Sequence, residues 1–242
     1  HRVDRRQRQM CIRDRKKMKP SRQAPKVLPP GGLQKFRCIQ VIDLGTQKKE
    51  YLGTVKYQKR VLLTFELVNT NHQFRDGEKE MPFVIKQEFT NSLSERGNLL
   101  PFLESWKGES IQRDELDDLD LFKFCLNRAG LANITIGTSK KNPSVKFAQI
   151  SAVMAQQEGE KTPAARNAIM GFEIGAPCPV LLPGEKKFSM LPYEEVYSQL
   201  YEWQQEVIAA SPEFKALNNN SGDAPKVEDD ENTSQVEMPD EW

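Results

Sequence analysis

The segment Arg60–Val68, RVLLTFELV, carries Val61, Leu63, Phe65 and Leu67 at every second position, and so regular an alternation buries one continuous face only as a β-strand. Two other segments repeat the period. In Phe36–Leu44, FRCIQVIDL, the alternation is looser, with Phe36, Cys38, Ile42 and Leu44 on one parity and Ile39 and Val41 on the other. In Pro82–Thr90, PFVIKQEFT, Phe83, Ile85 and Phe89 oppose Lys86 and Glu88. The period then changes: after Ser94, a candidate N-cap, the residues Leu99, Leu100, Phe102, Leu103 and Trp106 recur at spacings of three and four, and Gly108 supplies the stop. Pro101 interrupts this pattern, leaving one helix or two short turns open. Gln112–Leu126 reads as a second helical stretch, and Leu131–Gly137 and Val145–Val153 as two further strands.

Three strands, a helical segment and two strands predict a mainly β protein. The order is that of an OB-fold, a five-stranded Greek-key barrel, here over residues 33–155 with an inserted helical segment. A Pro/Gly-rich lead-in at 18–32 precedes it. Residues 156–217 form an extension: an irregular, proline-punctuated stretch over 156–192, then one C-terminal helix over 193–210 with Val196, Leu200, Trp203, Val207 and Ile208 as a core stripe against the barrel. Residues 218–242 have almost no apolar content, which predicts a disordered tail.

The net charge of +1 hides strong segregation. Residues 1–17 hold eight Arg/Lys against Asp4 and Asp14, residues 218–242 hold eight Asp/Glu against Lys226, and the middle of the chain is mildly basic at +2. Arg5–Arg15, RRQRQMCIRDR, resembles a translated sequencing adapter, so residues 1–17 are expected to be an artefactual leader and Met18 the native start. No apolar run approaches the roughly 18 residues of a membrane span, and no secretory signal follows the basic residues, so a soluble, cytoplasmic protein without a membrane partner is expected.

Chemistry-bearing residues are sparse. Cys38, Cys125 and Cys178 form no C-x-x-C pair, so buried thiols are expected and no metal. His72 is the lone imidazole outside the leader, and neither a phosphate-cradling glycine loop nor a nucleophile elbow occurs. Asp114, Glu115, Asp117, Asp118 and Asp120 could hold Mg²⁺ only if gathered in space; a solvated helix surface is the plainer reading. Neither an enzyme nor a cofactor is expected.

Lysine placement points elsewhere. The connection between the first two strands carries Lys48, Lys49, Lys56 and Lys59, with Tyr51 and Tyr57 among them. The one between the last two carries Lys140 and Lys141, with Lys146 beside Phe147 at its end. These are the two loops that flank the ligand surface of an OB-fold, and cations interleaved with aromatics suit phosphate neutralisation and base stacking. Lys86 and Phe74 join them as candidates on the third strand and in the turn before it.

The chain ends Met238-Pro239-Asp240-Glu241-Trp242, an indole on an acidic tail with no core to enter. In this it resembles bacterial and phage single-stranded DNA-binding proteins, which join an OB-fold to an acidic tail with an aromatic tip. Arg60–Val153 also resembles a recurrent uncharacterised phage family of presumed OB-fold, through RVLLTFEL, PFVIKQEFTNSLSERGNL, ESWKGESI, ELDDLDL and FAQISAV. The resemblance implies sequence-tolerant binding of single-stranded DNA in phage replication or recombination, with Asp240, Glu241 and Trp242 recruiting partner proteins. The family's usual terminal residue is Phe, so Trp242 leaves the partner open. The alternative is an OB-fold adaptor between proteins of a replisome or recombination complex. Oligomeric state, including a homo-oligomer, and preference for DNA over RNA stay open.

Overall fold

The strand β1 (Gly32–Tyr51) organises the sheet: it pairs antiparallel with β2 (Thr54–His72) and β4 (Ala129–Thr138), and parallel with β6 (Ile169–Phe172). The computed structural model describes residues 27–51, 54–74, 77–139, 142–157 and 159–218; the expected leader and tail lie outside these. β2 continues to β3 (Met81–Thr90), and β4 to β5 (Lys146–Met154). Beyond β6 come β7 (Cys178–Leu181) and β8 (Ser189–Leu191), both antiparallel. The protein is thus mainly β with an open, mixed sheet. β3 and β5, which a closed five-stranded barrel would join, lie near each other but form no ladder among the described residues.

Helices fill the connection that changes period. α1 (Leu99–Lys107) buries Leu99, Leu100, Leu103 and Trp106, and ends where Gly108, at φ 87°, donates its amide to the Glu104 carbonyl. Asn98 precedes the helix, not Ser94. Pro101 lies in the first turn, where the backbone amides have no helical acceptor, so one helix forms without a break. The second helical stretch is two short pieces, α2 (Arg113–Asp117) and α3 (Leu121–Cys125), with the Asp120 carboxylate capping the latter through the amides of Phe122 and Lys123.

Two cores result. Residues 61–68 of β2 are buried at every position, so both of its faces are covered. Val61, Leu63, Phe65 and Leu67 face a first core with Phe36, Phe83, Phe89 and α1; Trp106 sits against Phe36 and Phe65 there and donates its indole N–H to the Ala129 carbonyl at 2.9 Å. Leu62 belongs to a second core with Ile42, Leu44, Met170, Phe172, Val196, Leu200 and Ile208. A register shift between Cys38 and Gln40 explains the loose alternation of β1: it places Phe36 and Cys38 with Ile39 and Val41 in the first core and passes Ile42 and Leu44 to the second, correcting their grouping by parity.

The extension is more ordered than its prolines suggest. The stretch read as irregular contains β6, β7 and β8, which widen the sheet. The single C-terminal helix is instead α4 (Tyr193–Gln199) and α5 (Glu202–Ala210), followed by α6 (Pro212–Asn218). Leu200 and Tyr201 are extended between the first two, so Trp203 leaves the expected core stripe and is 41% exposed. Among the described residues, no helix is long and apolar enough to cross a membrane.

What ties the extension down is a pair of cross-strand neighbours, Arg37 on β1 and Glu66 on β2. Glu66 is fully buried and accepts from the Arg166 amide (2.8 Å), the Asn167 amide (2.9 Å) and Asn167 Nδ2 (2.7 Å). Arg37 donates to the carbonyls of Thr162 (2.8 Å), Pro163 (3.0 Å) and Asn127. Hydrogen bonds to charged groups are worth about 1.5–3 kcal/mol each, and truncation leaves partly buried amides unpaired. Glu66→Ala should therefore lower stability by about 3 kcal/mol in urea unfolding and open residues 159–167 to limited proteolysis, whereas a surface change such as Glu95→Ala should do neither.

Candidate nucleic-acid interface

The first lysine group lies on strands, not in a loop. Beyond the body of the sheet, β1 and β2 run on as a two-stranded ribbon that pairs Thr46 with Lys59, Gln47 with Gln58, Lys48 with Tyr57, Lys49 with Lys56 and Tyr51 with Thr54. Directly opposed side chains share a face and successive pairs alternate. Lys48, Tyr57 and Lys59 therefore share one face, and Lys49 and Lys56 the other. Tyr57 is 66% exposed. Lys49 lies 3.5 Å from the Glu88 carboxylate, which also takes the Arg60 guanidinium at 2.7 Å, so part of its charge is answered within the sheet.

The root of the ribbon is clamped by the C-terminal helices. Gln47 Nε2 donates to the carbonyls of Leu44 and, at 3.0 Å, Val207. Gly45, at φ 67°, brings the β1 backbone against Ser211; a Cβ there would lie 2.6 Å from that of Ser211. Glu213 of α6 accepts from both the hydroxyl and the amide of Thr46, the latter at 3.0 Å. Burial works against the Glu213 charge, but the two Thr46 hydrogen bonds and nearby Lys59 outweigh it and hold the carboxyl below its ordinary range.

The other candidates lie apart. Lys146 and Phe147 open β5, opposite Thr138 and Gly137. The Phe147 ring rests over Gly137, where a Cβ would come within 2.9 Å of it, and stays 38% exposed. Register puts this hairpin beyond the Gly32 end of β1, opposite to the ribbon tip at Tyr51. Phe74 follows β2 and is half-exposed in a ring cluster with His72 and Phe83. Lys86 sits between the two ends, opposite Thr64, with its ammonium 4.1 Å from the Tyr201 ring centre and 4.6 Å from that of Trp203. Lys140, Lys141, Asp240, Glu241 and Trp242 lie outside the described residues, as does the side chain of Tyr51.

Sequence reasoning missed Tyr201 and Trp203, because Trp203 fits a helical stripe only if the helix runs unbroken through Leu200. The acidic cluster is dispersed into local roles: Glu115 pairs with Lys107 at 2.8 Å, and Asp120 caps α3. Among the described residues no three His, Cys, Asp or Glu are placed to hold a metal ion. Cys38, Cys125 and Cys178 are buried free thiols, and burial pushes that of Cys125 up to about 12. No family model, curated protein or solved structure matches this chain. The site is therefore read from its own chemistry: exposed cations and rings spaced along the strands.

The Glu213 contact gives the ribbon root a pH dependence. A carboxyl held low in the folded protein contributes stability above its ordinary range and loses it as pH falls through the folded value. The Thr46 amide proton resonance should shift at a midpoint below that of ordinary glutamates, and Thr46→Val should move the Glu213 titration back toward them.

Proposed function

We propose that this protein is a sequence-tolerant binder of single-stranded DNA, built on an OB-type barrel and serving phage DNA replication or recombination, with an acidic tail that recruits partner proteins. The observation that carries the reading is the ribbon, where Lys48, Lys56, Lys59 and Tyr57 are exposed on strands that reach past the core. The ladder order supports the barrel: β1 lies between β2 and β4, the helices fall between β3 and β4, and β3 approaches β5. Lysines neutralise phosphates and release counterions, and exposed rings stack on bases of any identity. The Asp240-Glu241-Trp242 tip belongs to the tail's partner-binding role through the resemblance alone.

Affinity for oligo-dT should fall by about 0.7 log units per log unit of salt for each phosphate contacted, and Lys48→Gln with Lys56→Gln should shallow that slope by about 0.7 per lysine. Salt-insensitive binding, or equal affinity for duplex, would contradict the reading. Deleting residues 219–242 should tighten DNA binding, because the tail's charge competes for the same cations, while Trp242→Ala should leave DNA affinity unchanged and weaken a protein partner.

One observation favours a protein-binding adaptor instead. The outer face of β2, which with β3 forms the surface where OB-type ligands commonly lie, is partly covered by the extension through Leu62, as that of β1 is through Ile42 and Leu44. An adaptor would keep its function after Lys48→Glu and Lys56→Glu, whereas a DNA binder would lose most of its affinity.

A further inference from the structure

We infer that the groove between the outer face of β1–β2–β3 and the α4–α5 corner receives one base of the bound strand, an inference that rests on the single-stranded DNA reading above. The groove, about 270 Å³, is floored by a row that crosses three strands: Gln40 pairs with Thr64, and Thr64 with Lys86. Thr64 is 1% exposed and its hydroxyl has no hydrogen-bond partner; the Gln40 Oε1 atom is likewise buried and unpartnered. A buried polar atom without a partner is costly and uncommon, and these two line one cavity. Val84 and Met170 supply apolar wall, and Tyr201, 60% exposed, stands at the mouth.

The chemistry of the occupant follows from these groups. Ladders on both sides engage the backbone at Gln40 and Thr64, so a peptide strand could extend only the far edge of β3 and not the middle of the floor. The lining presents a hydroxyl, an amide oxygen, an exposed ring and a cation already engaged over that ring. A nucleobase uses all four: its face stacks on Tyr201, its edge meets Thr64 and Gln40, and its phosphate takes Lys86. The ammonium now over Tyr201 and Trp203 keeps the stacking surface occupied until a base displaces it toward the phosphate. The corner is fixed in advance, since the Tyr201 amide donates to buried Gln204 at 3.0 Å and Gln205 Nε2 donates to the carbonyls of Tyr197 and Leu200. Bound water could satisfy Thr64 and Gln40, yet it gives no role to the exposed rings beside them.

The test uses the full chain and oligo-dT carrying 5-iododeoxyuridine. Irradiation should place an adduct on Tyr201 or Trp203. Tyr201→Ala should weaken binding about tenfold, and Thr64→Val about fivefold, both with unchanged salt slope because neither residue is charged. Tyr201 is exposed, so its variant keeps the test decisive should Thr64→Val disturb folding. Unchanged affinity in Tyr201→Ala, with adducts confined to Tyr57 or Phe147, would overturn the pocket and leave DNA binding standing. Absence of oligo-dT binding by the unaltered protein would instead remove the reading on which the pocket rests. Saturation by free dTMP at the oligonucleotide's own affinity would make the groove a nucleotide site and overturn its role in holding a strand.

Discussion

Arg37 and Glu66 face each other across β1 and β2, and between them they bind both sides of the chain as it returns from β5. The described residues among 155–168 form no strand or helix of their own, so their carbonyls and amides need partners from elsewhere. The guanidinium takes the carbonyls and the carboxylate takes the amides, each in the sense its charge allows. Only with this crossing fixed can β6 lie parallel to β1, which requires the chain to come back over the sheet in the same direction. β7, β8 and the helices follow from that placement, and with them the second core.

The second core changes what the sheet can do. A five-stranded barrel alone would leave the outer face of β1 and β2 to solvent or ligand. Here Ile42, Leu44 and Leu62 are buried under Phe172, Val196 and Ile208, so β2 reads as continuously apolar from Val61 to Leu63. At the row of Gln40, Thr64 and Lys86 the apolar cover gives way to polar side chains, and beyond it the extension returns over Glu66. The same extension that shields half of the outer face thus builds one wall of the groove in the other half, and it roots the ribbon through Thr46, Gln47 and Ser211.

Strands with a clean period were legible from residues alone: Val61, Leu63, Phe65 and Leu67 alternate, and so do Phe83, Ile85 and Phe89. The α1 boundary at Gly108 was legible too, because a left-handed residue after a helical stripe has a local cause. The rest depends on contacts distant in sequence. β6 is only four residues, IMGF, all buried, and no period can be read from so short a run. The bulge after Cys38 shifts the phase of β1 for tertiary reasons. The break at Leu200–Tyr201 is held by Gln204 and Gln205, whose side chains bond backbone groups a few residues away; in a composition count they are just polar helix residues. Of the site, the lysines and Tyr57 could be named in advance, but their arrangement on a ribbon could not, nor could Glu88 near Lys49.

Charge and shape divide the work of recognition on the proposed reading. A lysine neutralises the phosphate of a duplex as readily as that of a single strand, so the ribbon by itself attracts polyanions without telling them apart. Selectivity for single strands has to come from groups that a paired base cannot reach. Tyr57, Phe147 and the Tyr201 corner present faces rather than charges, and a base must leave its partner to lie against them. The groove floor is stricter still, because Thr64 sits in the middle of the sheet beneath a covering wall, where a base enters only when splayed out from its neighbours. On that reading the extension held down by Arg37 and Glu66 bears on discrimination as well as on stability, since it would turn an open sheet face, which any nucleic acid could touch, into a slot that asks for an unpaired base.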